Sequence, residues 1–211
     1  MLVANVINDG DFTKTIYSLI KDNRFSEAIR VLHGISESSS TRAGLSLLAY
    51  CYFYSQDYTN ATSYYEQLTK IYPTNNDYKL YYAQAMYQAC QYEEAYQILN
   101  KIKDIDEYKA HATKLQAAIK YGQEDLLSAK ELVESCPSED SDKEVNLGCI
   151  LYKDGNYEEA LTKFSAAMQI QGFKPYLAYD IALCYYRLKD YAPALKYCAD
   201  IIENGIRDHP K

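Results

Sequence analysis

The chain has 211 residues, and 29 Asp and Glu residues against 22 Lys and Arg residues give it a formal net charge of −7. This acidic balance, with no basic run, disfavours nucleic acid as a partner, because binding to phosphates needs clustered cations. No stretch approaches the roughly 20 apolar residues of a membrane-spanning helix, so we expect no membrane insertion. Apolar residues make up 48% of the chain, which is enough for a continuous core.

An alanine recurs along the chain at intervals of 31 to 34 residues, and a large apolar or aromatic residue stands three residues before each one. The alanines are Ala28, Ala61, Ala95, Ala129, Ala160 and Ala194. A period near 34 residues with this pair of positions is the signature of tetratricopeptide-type helix–turn–helix repeats. The alanine lies where the two helices of a repeat cross, and a larger side chain there costs about 1–3 kcal/mol. The sequence therefore predicts an all-α tetratricopeptide-repeat superhelix, an α-solenoid of about six repeats.

We number each repeat so that its alanine is position 20, with helix A at roughly positions 2–14 and helix B at roughly positions 17–30. This register predicts a single array of six repeats, at 9–41, 42–75, 76–109, 110–140, 141–174 and 175–208. The first and fourth repeats fit the pattern less well than the others. In the fifth, Gly148 supplies the small residue where two helices approach closely, and Gly155 allows a positive φ in the turn.

The array departs from its period at one junction and at its end. The interval between the fourth and fifth alanines is only 31 residues, so we expect an irregular connection near residues 136–144. The most acidic stretch, 138–142, falls there and is interpreted as a solvated loop. The sixth repeat ends in Ile201, Ile202 and Ile206 without a polar capping helix after it. Because arrays usually finish with such a helix, the sequence predicts the N-terminal fragment of a longer chain.

Positions 5, 9 and 12 of helix A line the concave face of such arrays, and in this chain they are mostly apolar or aromatic. The residues predicted to bind a partner there are Tyr17, Tyr50, Phe53, Leu80, Tyr87, Tyr121, Tyr152, Tyr179, Leu183 and Tyr186. Tyr combines a broad apolar ring with one polar group and loses little rotamer entropy on binding. Such a face suits an extended segment that contains proline. The alternative is that the rings pack on each other across a narrow bore.

Other kinds of site lack the residues that they need. A clamp for a C-terminal carboxylate requires Lys, Arg and Asn on helix A, but Lys114 alone is a cation at position 5 and position 9 carries no Asn. The three His residues have no partner at metal-ligand or triad spacing, and no nucleotide-binding or hydrolase motif occurs. The six Cys residues form no CxxC pair and are interpreted as small buried thiols in a reducing compartment. We therefore predict no cofactor, no metal and no enzyme activity.

Several strings contain residues that the general repeat leaves free. They are RAGLSLLAYCYF (42–53), YEQL (65–68), LQAAIKY (115–121), VNLGCILYKDGNYEEA (145–160) and ALKYCADIIENGIRDHP (194–210). Through them, nearly the whole chain resembles the N-terminal region of tetratricopeptide repeat protein 30, also called the intraflagellar transport protein 70 or DYF-one family. Members of that family are considerably longer than this chain.

The resemblance implies a non-catalytic scaffold subunit of the intraflagellar transport B complex, located in the cilium or flagellum and the cytoplasm and used in cilium assembly. The implied partners are intraflagellar transport protein 52, whose extended segment lies inside the superhelix of family members, and other subunits of the complex. Some members are linked to tubulin polyglutamylation. Two alternatives stay open: a general tetratricopeptide co-chaperone or assembly adaptor, whose basic clamp is missing here, and the targeting arm of an enzyme whose catalytic domain lies outside this chain.

Overall fold

The fold was analysed in a computed structural model, which describes residues 11–35, 41–137 and 140–208. These ranges contain twelve α-helices and no strand, two helices for each predicted repeat, and the predicted all-α tetratricopeptide fold is confirmed. The helices are α1 (Phe12–Lys21), α2 (Phe25–Gly34), α3 (Arg42–Tyr54), α4 (Tyr58–Ile71), α5 (Asn76–Gln88), α6 (Tyr92–Leu99), α7 (Asp106–Gly122), α8 (Leu126–Glu134), α9 (Lys143–Lys153), α10 (Tyr157–Gln171), α11 (Pro175–Arg187) and α12 (Tyr191–Asp208). The predicted start of the first repeat at residue 9 lies outside the described residues.

The helices belong to two compact units, residues 1–112 and 113–211, and the boundary falls inside α7. In the first unit, each helix from α1 to α6 packs against its neighbours in the chain. In the second, α8 packs on α9, and the helices from α9 to α12 pack in chain order. Neighbour-on-neighbour packing is typical of repeat proteins. The single array with the six ranges given above stays a prediction.

The alanine at position 20 is buried in all six repeats. The two helices of the fifth repeat also approach closely at Gly148 on α9, which faces the buried ring of Phe164 on α10. A Cβ atom added at Gly148 would lie 2.7 Å from Cε1 and 2.8 Å from Cδ1 of that ring. The expectation of a close helix approach at Gly148 is therefore confirmed, and the large ring at position 24 is the reason for it.

The turn between helix A and helix B is the same in all six repeats, although the sequence pointed to it only at Gly155. Position 15 has a positive φ, between 57° and 89°, in every case: Asn23, Gln56, Cys90, Glu124, Gly155 and Lys189. In the fifth repeat, Gly155 N–H donates to the Tyr152 carbonyl (3.1 Å) and Asn156 N–H donates to the Leu151 carbonyl (2.9 Å). The other repeats have the same pair of bonds. This is a Schellman ending, in which a left-handed residue lets the chain satisfy the last helix carbonyls.

Two lysines hold the irregular connection between α8 and α9. The ammonium of Lys114 lies 2.7 Å from the Asp140 carboxylate and 3.3 Å from that of Asp142. The ammonium of Lys143 donates to the carbonyl oxygens of Glu134 (2.8 Å) and Cys136 (2.7 Å), where α8 ends. The solvated-loop interpretation is thus wrong for Asp140, whose side chain is 12% exposed and anchors the loop to α7, whereas Asp142 is 56% exposed and agrees with it. Residues 138 and 139 of the acidic stretch lie outside the described residues.

The same contacts set the ionisation of the loop. Burial alone would raise the pKa of Asp140, but the hydrogen bonds from Lys114 and from the Asp142 N–H outweigh burial and lower the pKa below its usual value. The carboxylate is therefore charged at neutral pH.

No helix in the described part of the chain is long and apolar enough to cross a bilayer.

The Gly148–Phe164 contact predicts the outcome of a compensating pair of substitutions. Gly148→Ala should lower the free energy of unfolding by about 1–3 kcal/mol, because the new methyl group overlaps the ring. Adding Phe164→Leu should make the double variant less destabilised than the sum of the two single changes. Urea denaturation measures these values. Gly34→Ala is the matched control, since an added Cβ there meets no atom within 4 Å. Strictly additive effects would contradict the proposed clash.

The left-handed turns predict gains in stability. Gln56→Gly and Lys189→Gly should each raise the free energy of unfolding by about 0.5–1 kcal/mol, because glycine adopts this conformation without a steric penalty. The reverse change, Gly155→Ala, should lower it by at least as much. Thermal and urea denaturation of the three variants test this. If both glycine variants were less stable than the original chain, the assignment of strain to position 15 would be wrong.

Candidate functional site

A groove lined by aromatic rings lies on one face of the first unit, with a volume of about 540 Å³. We call it the Tyr-lined groove. Its lining residues are Tyr17, Ile20, Ser46, Leu47, Tyr50, Phe53, Tyr54, Tyr65, Tyr78, Tyr81 and Gln84. None of these side chains carries a formal charge at neutral pH. The volume lies within the range of about 300–1,000 Å³ that is usual for ligand-binding pockets.

Helical spacing explains how the groove is formed. On α3, Ser46, Tyr50 and Phe53 are four and three residues apart, so they share one stripe of the helix. Tyr17 on α1 and Gln84 on α5 occupy position 9 of their repeats, as Tyr50 does on α3. The groove is therefore assembled from equivalent faces of three successive A helices, and only Tyr65 comes from a B helix.

The aromatic rings of the groove partly pack on each other. The ring of Tyr54 lies 4.4 Å from that of Tyr50 and stacks on Phe25 at 5.6 Å, and Tyr65 is 5.9 Å from Tyr81. Many of the ring faces nevertheless stay open to solvent. The exposed fractions are 59% for Tyr17, 52% for Tyr54 and 43% for Tyr81. A contiguous patch of exposed aromatic surface is a common feature of interaction sites.

Among the polar side chains of the groove, Tyr78 contacts two other polar groups. This side chain is buried, and its hydroxyl accepts a hydrogen bond from Arg42 Nε at 2.8 Å and lies 3.1 Å from Ser46 Oγ. The amide of Gln84 makes no hydrogen bond to the described residues. Burial raises the pKa of Tyr65 well above its ordinary value, and the neighbouring Tyr81 adds to this effect. Tyr65 therefore stays neutral at physiological pH, like the rest of the lining.

The ten partner-binding residues predicted from the sequence differ in burial and in location. In the first unit, Tyr17, Tyr50 and Phe53 line the Tyr-lined groove. Leu80 is only 7% exposed and offers little surface to a partner. Tyr87 is half-buried, with its ring 5.9 Å from that of Tyr92.

In the second unit, the rings of two predicted tyrosines each contact a cationic side chain of the following repeat. The ammonium of Lys153 lies 4.5 Å from the ring centre of Tyr121. The guanidinium of Arg187 lies 5.9 Å from the ring centre of Tyr152, and its Nε donates to the Tyr152 hydroxyl at 3.0 Å. Both cations are at position 13, directly after the position-12 residue of their own repeat. These cation–π contacts were not predicted, and they make this face more polar than expected.

The remaining predicted residues of the second unit are more exposed. Tyr179 and Tyr186 are mostly open to solvent, and the Tyr186 ring lies 5.8 Å from that of Tyr191. Leu183 is half-buried on α11. Rings at position 12 thus pack against the first residue of helix B, and part of each ring stays accessible.

Among the lining residues that the sequence analysis did not predict are three tyrosines of the A helices: Tyr54, Tyr78 and Tyr81. They are at positions 13, 3 and 6, which were not considered. The signal was present, because Tyr54 follows Tyr50 by four residues and Tyr81 precedes Gln84 by three. A search along the helix from position 9 would have found both.

The described residues hold no cluster of three His, Cys, Asp or Glu side chains that could bind a metal ion. The prediction of buried thiols is confirmed for Cys51, Cys136 and Cys184, and it is wrong for Cys90 and Cys198, which are exposed. Burial raises the pKa of Cys51 to about 11 and that of Cys184 to about 12, so neither is a reactive thiolate at neutral pH.

Comparison with known proteins identifies the repeats and their relatives. Family models described as tetratricopeptide repeat match residues 52–119 and 145–209. Intraflagellar transport protein 70A of Xenopus tropicalis is 54% identical over 211 residues, which is the whole of this chain and 32% of that protein. The corresponding protein of Danio rerio is 52% identical over 97% of this chain and 32% of its own length. Intraflagellar transport protein 70B of Mus musculus is 48% identical over the whole chain and 33% of its own length. The chain thus spans about a third of these relatives.

Solved structures share the fold at low sequence identity. The type IV pilus biogenesis factor PilW matches with a TM-score of 0.72 and 13% identity, over 96% of this chain and 94% of PilW. A tetratricopeptide repeat protein from Parabacteroides merdae matches with a TM-score of 0.70 and 12% identity, over 92% and 78% of the two chains. These likenesses show the fold alone.

The hydrogen bonds at Tyr78 predict a difference between two tyrosines of α5. Tyr78→Phe should lower the free energy of unfolding by about 0.5–1.5 kcal/mol, because Arg42 and Ser46 lose a partner. Tyr81→Phe is the matched control, since the Tyr81 hydroxyl bonds to none of the described residues, and it should be neutral. Urea denaturation compares the two variants. Equal effects would show that the Tyr78 hydroxyl does not stabilise the groove.

Proposed function

Since the chain belongs to the intraflagellar transport protein 70 family, we propose that it is a non-catalytic scaffold of the intraflagellar transport B complex. In this role it binds an extended segment of a partner subunit in the Tyr-lined groove during cilium assembly. The observation that carries the proposal is an open, uncharged aromatic groove in a chain of this family. The proposed location is the cilium or flagellum and the cytoplasm.

The chemistry of the groove favours an extended occupant. A polyproline-type segment makes no internal hydrogen bonds, so its carbonyl oxygens are free to accept bonds from tyrosine hydroxyl groups. Flat proline rings pack well on aromatic faces, as they do in other domains that read proline-rich segments. The exposed rings of Tyr17 and Tyr81 offer the second kind of contact, and the amide of Gln84, which bonds to none of the described residues, adds a polar one.

The same chemistry argues against the co-chaperone alternative. A clamp for a C-terminal carboxylate needs several cations and amides that are free to donate. The groove lining has no cation, and Lys114 is already paired with Asp140 and Asp142. A transport scaffold that takes a largely apolar segment therefore agrees better with the charges of the molecule than a general carboxylate clamp does.

The family resemblance supplies the proposed partners, which are intraflagellar transport protein 52 and other subunits of the B complex. We extend the proposal to three tyrosines of the second unit as further contacts for a partner segment: the half-buried Tyr152 and the exposed Tyr179 and Tyr186. A link to tubulin polyglutamylation belongs to the same proposal. In each case the chain contributes binding surface and no reacting group.

Charge substitution in the groove tests the proposal. Tyr17→Asp combined with Tyr81→Asp should weaken binding of full-length intraflagellar transport protein 52 by tenfold or more, since a carboxylate is costly to desolvate beside apolar rings (about 1.4 kcal/mol per factor of ten). Both positions are exposed, so circular dichroism should show unchanged helicity. Isothermal titration calorimetry measures the affinity.

The control is Leu127→Asp on α8, which adds a carboxylate at a still more exposed position outside the groove lining. Unchanged affinity of the folded groove variant would rule out the groove as the binding site. Recovery of chaperones without any transport subunit from ciliated cells would instead support the co-chaperone alternative.

A further inference from the structure

Arg42 lies at one end of the Tyr-lined groove and is held in place by aromatic groups. It is the first residue of α3, one helical turn before the groove residue Ser46 and on the same stripe. Its Nε donates to the Tyr78 hydroxyl at 2.8 Å. Its guanidinium carbon lies 5.1 Å from the ring centre of Tyr72 and 5.4 Å from that of Tyr78. The guanidinium is thus oriented before any partner arrives.

The outer nitrogens of this guanidinium remain available. Arg42 is exposed, and only its Nε has a hydrogen-bond partner among the described residues. No carboxylate of residues 11–35, 41–137 or 140–208 forms an ion pair with it. The acidic neighbour Asp77 instead accepts a hydrogen bond from the Tyr108 hydroxyl at 2.8 Å. A cation whose two outer nitrogens bond to none of the described residues therefore stands beside a groove whose own lining is uncharged.

We propose that Arg42 is a carboxylate-recognition site that takes an Asp or Glu side chain of the extended segment in the Tyr-lined groove. This inference rests on the proposed function and specifies its partner more closely. A planar guanidinium can donate two parallel hydrogen bonds to a carboxylate, and the stacking rings reduce the entropy lost on binding. A single charge contact at one end of an apolar groove fixes the direction and register of the segment.

The first experiment compares two arginines. Arg42→Gln should weaken binding of full-length intraflagellar transport protein 52 about three- to tenfold at low salt, and the loss should shrink as salt is raised. Arg30→Gln on α2 is the matched control, because it removes the same charge from an exposed position outside the groove lining, and it should change affinity less than about twofold. Arg42→Lys should recover only part of the loss, since Lys keeps the charge without the planar fork.

The second experiment identifies the carboxylate. Hydrogen exchange of the complex maps the protected segment of the partner, and each Asp or Glu in it is changed to the amide. One such change should weaken binding to the original chain by the same factor as Arg42→Gln, and it should have no further effect on the Arg42→Gln variant. A purely structural role for Arg42, in tying α3 to α5, would lower the unfolding midpoint without this coupling.

The outcomes separate the two proposals. If the original chain binds and Arg42→Gln behaves like Arg30→Gln, the carboxylate site is overturned and the groove function stands. If Arg42 couples only to the partner's C-terminal carboxylate, which amidation removes, the side-chain assignment is overturned. If the original chain does not bind the partner at all, the proposed function fails, and the carboxylate site fails with it.

Discussion

The close crossing of the two helices in each repeat is the constraint on which the other features depend. A buried alanine at position 20 lets the backbones approach, and at Gly148 the approach is so close that even a methyl group does not fit. A close crossing limits the rotations at which the two helices can pack, so it also influences which stripe of helix A is left uncovered. Several exposed aromatic residues of the chain lie on that stripe, among them Tyr17, Tyr50 and Tyr186.

The uncovered stripes differ in character between the two units. In the first, rings from α1, α3 and α5 enclose an uncharged groove, and Arg42 is the cation at its end. In the second, Lys153 and Arg187 lie over the rings of Tyr121 and Tyr152. A partner that engages both units would meet apolar surface on one and mixed aromatic and cationic surface on the other. The acidic net charge of the chain describes neither surface.

Features that repeat along the chain could be predicted from the sequence, and features that join distant residues could not. The alanine period predicted the helices, the buried crossings and the role of Gly148, because each depends on local spacing. Lys114 with Asp140 and Arg42 with Tyr78 are pairs 26 and 36 residues apart, and spacing alone does not match such partners. Position 9 led to Tyr17 and Tyr50, yet Tyr78 and Tyr81 were missed because only three positions of helix A were considered. The left-handed turns were missed because five of them lack glycine.

Those turns have a practical consequence for work on this protein. Five residues that are not glycine adopt the same unfavourable backbone conformation, each at the boundary between the two helices of its repeat. Stability can therefore be raised separately at each of these turns by a substitution to glycine. A variant with glycine at one turn is a stabilised parent protein. Destabilising substitutions elsewhere can then be studied in a chain that still folds.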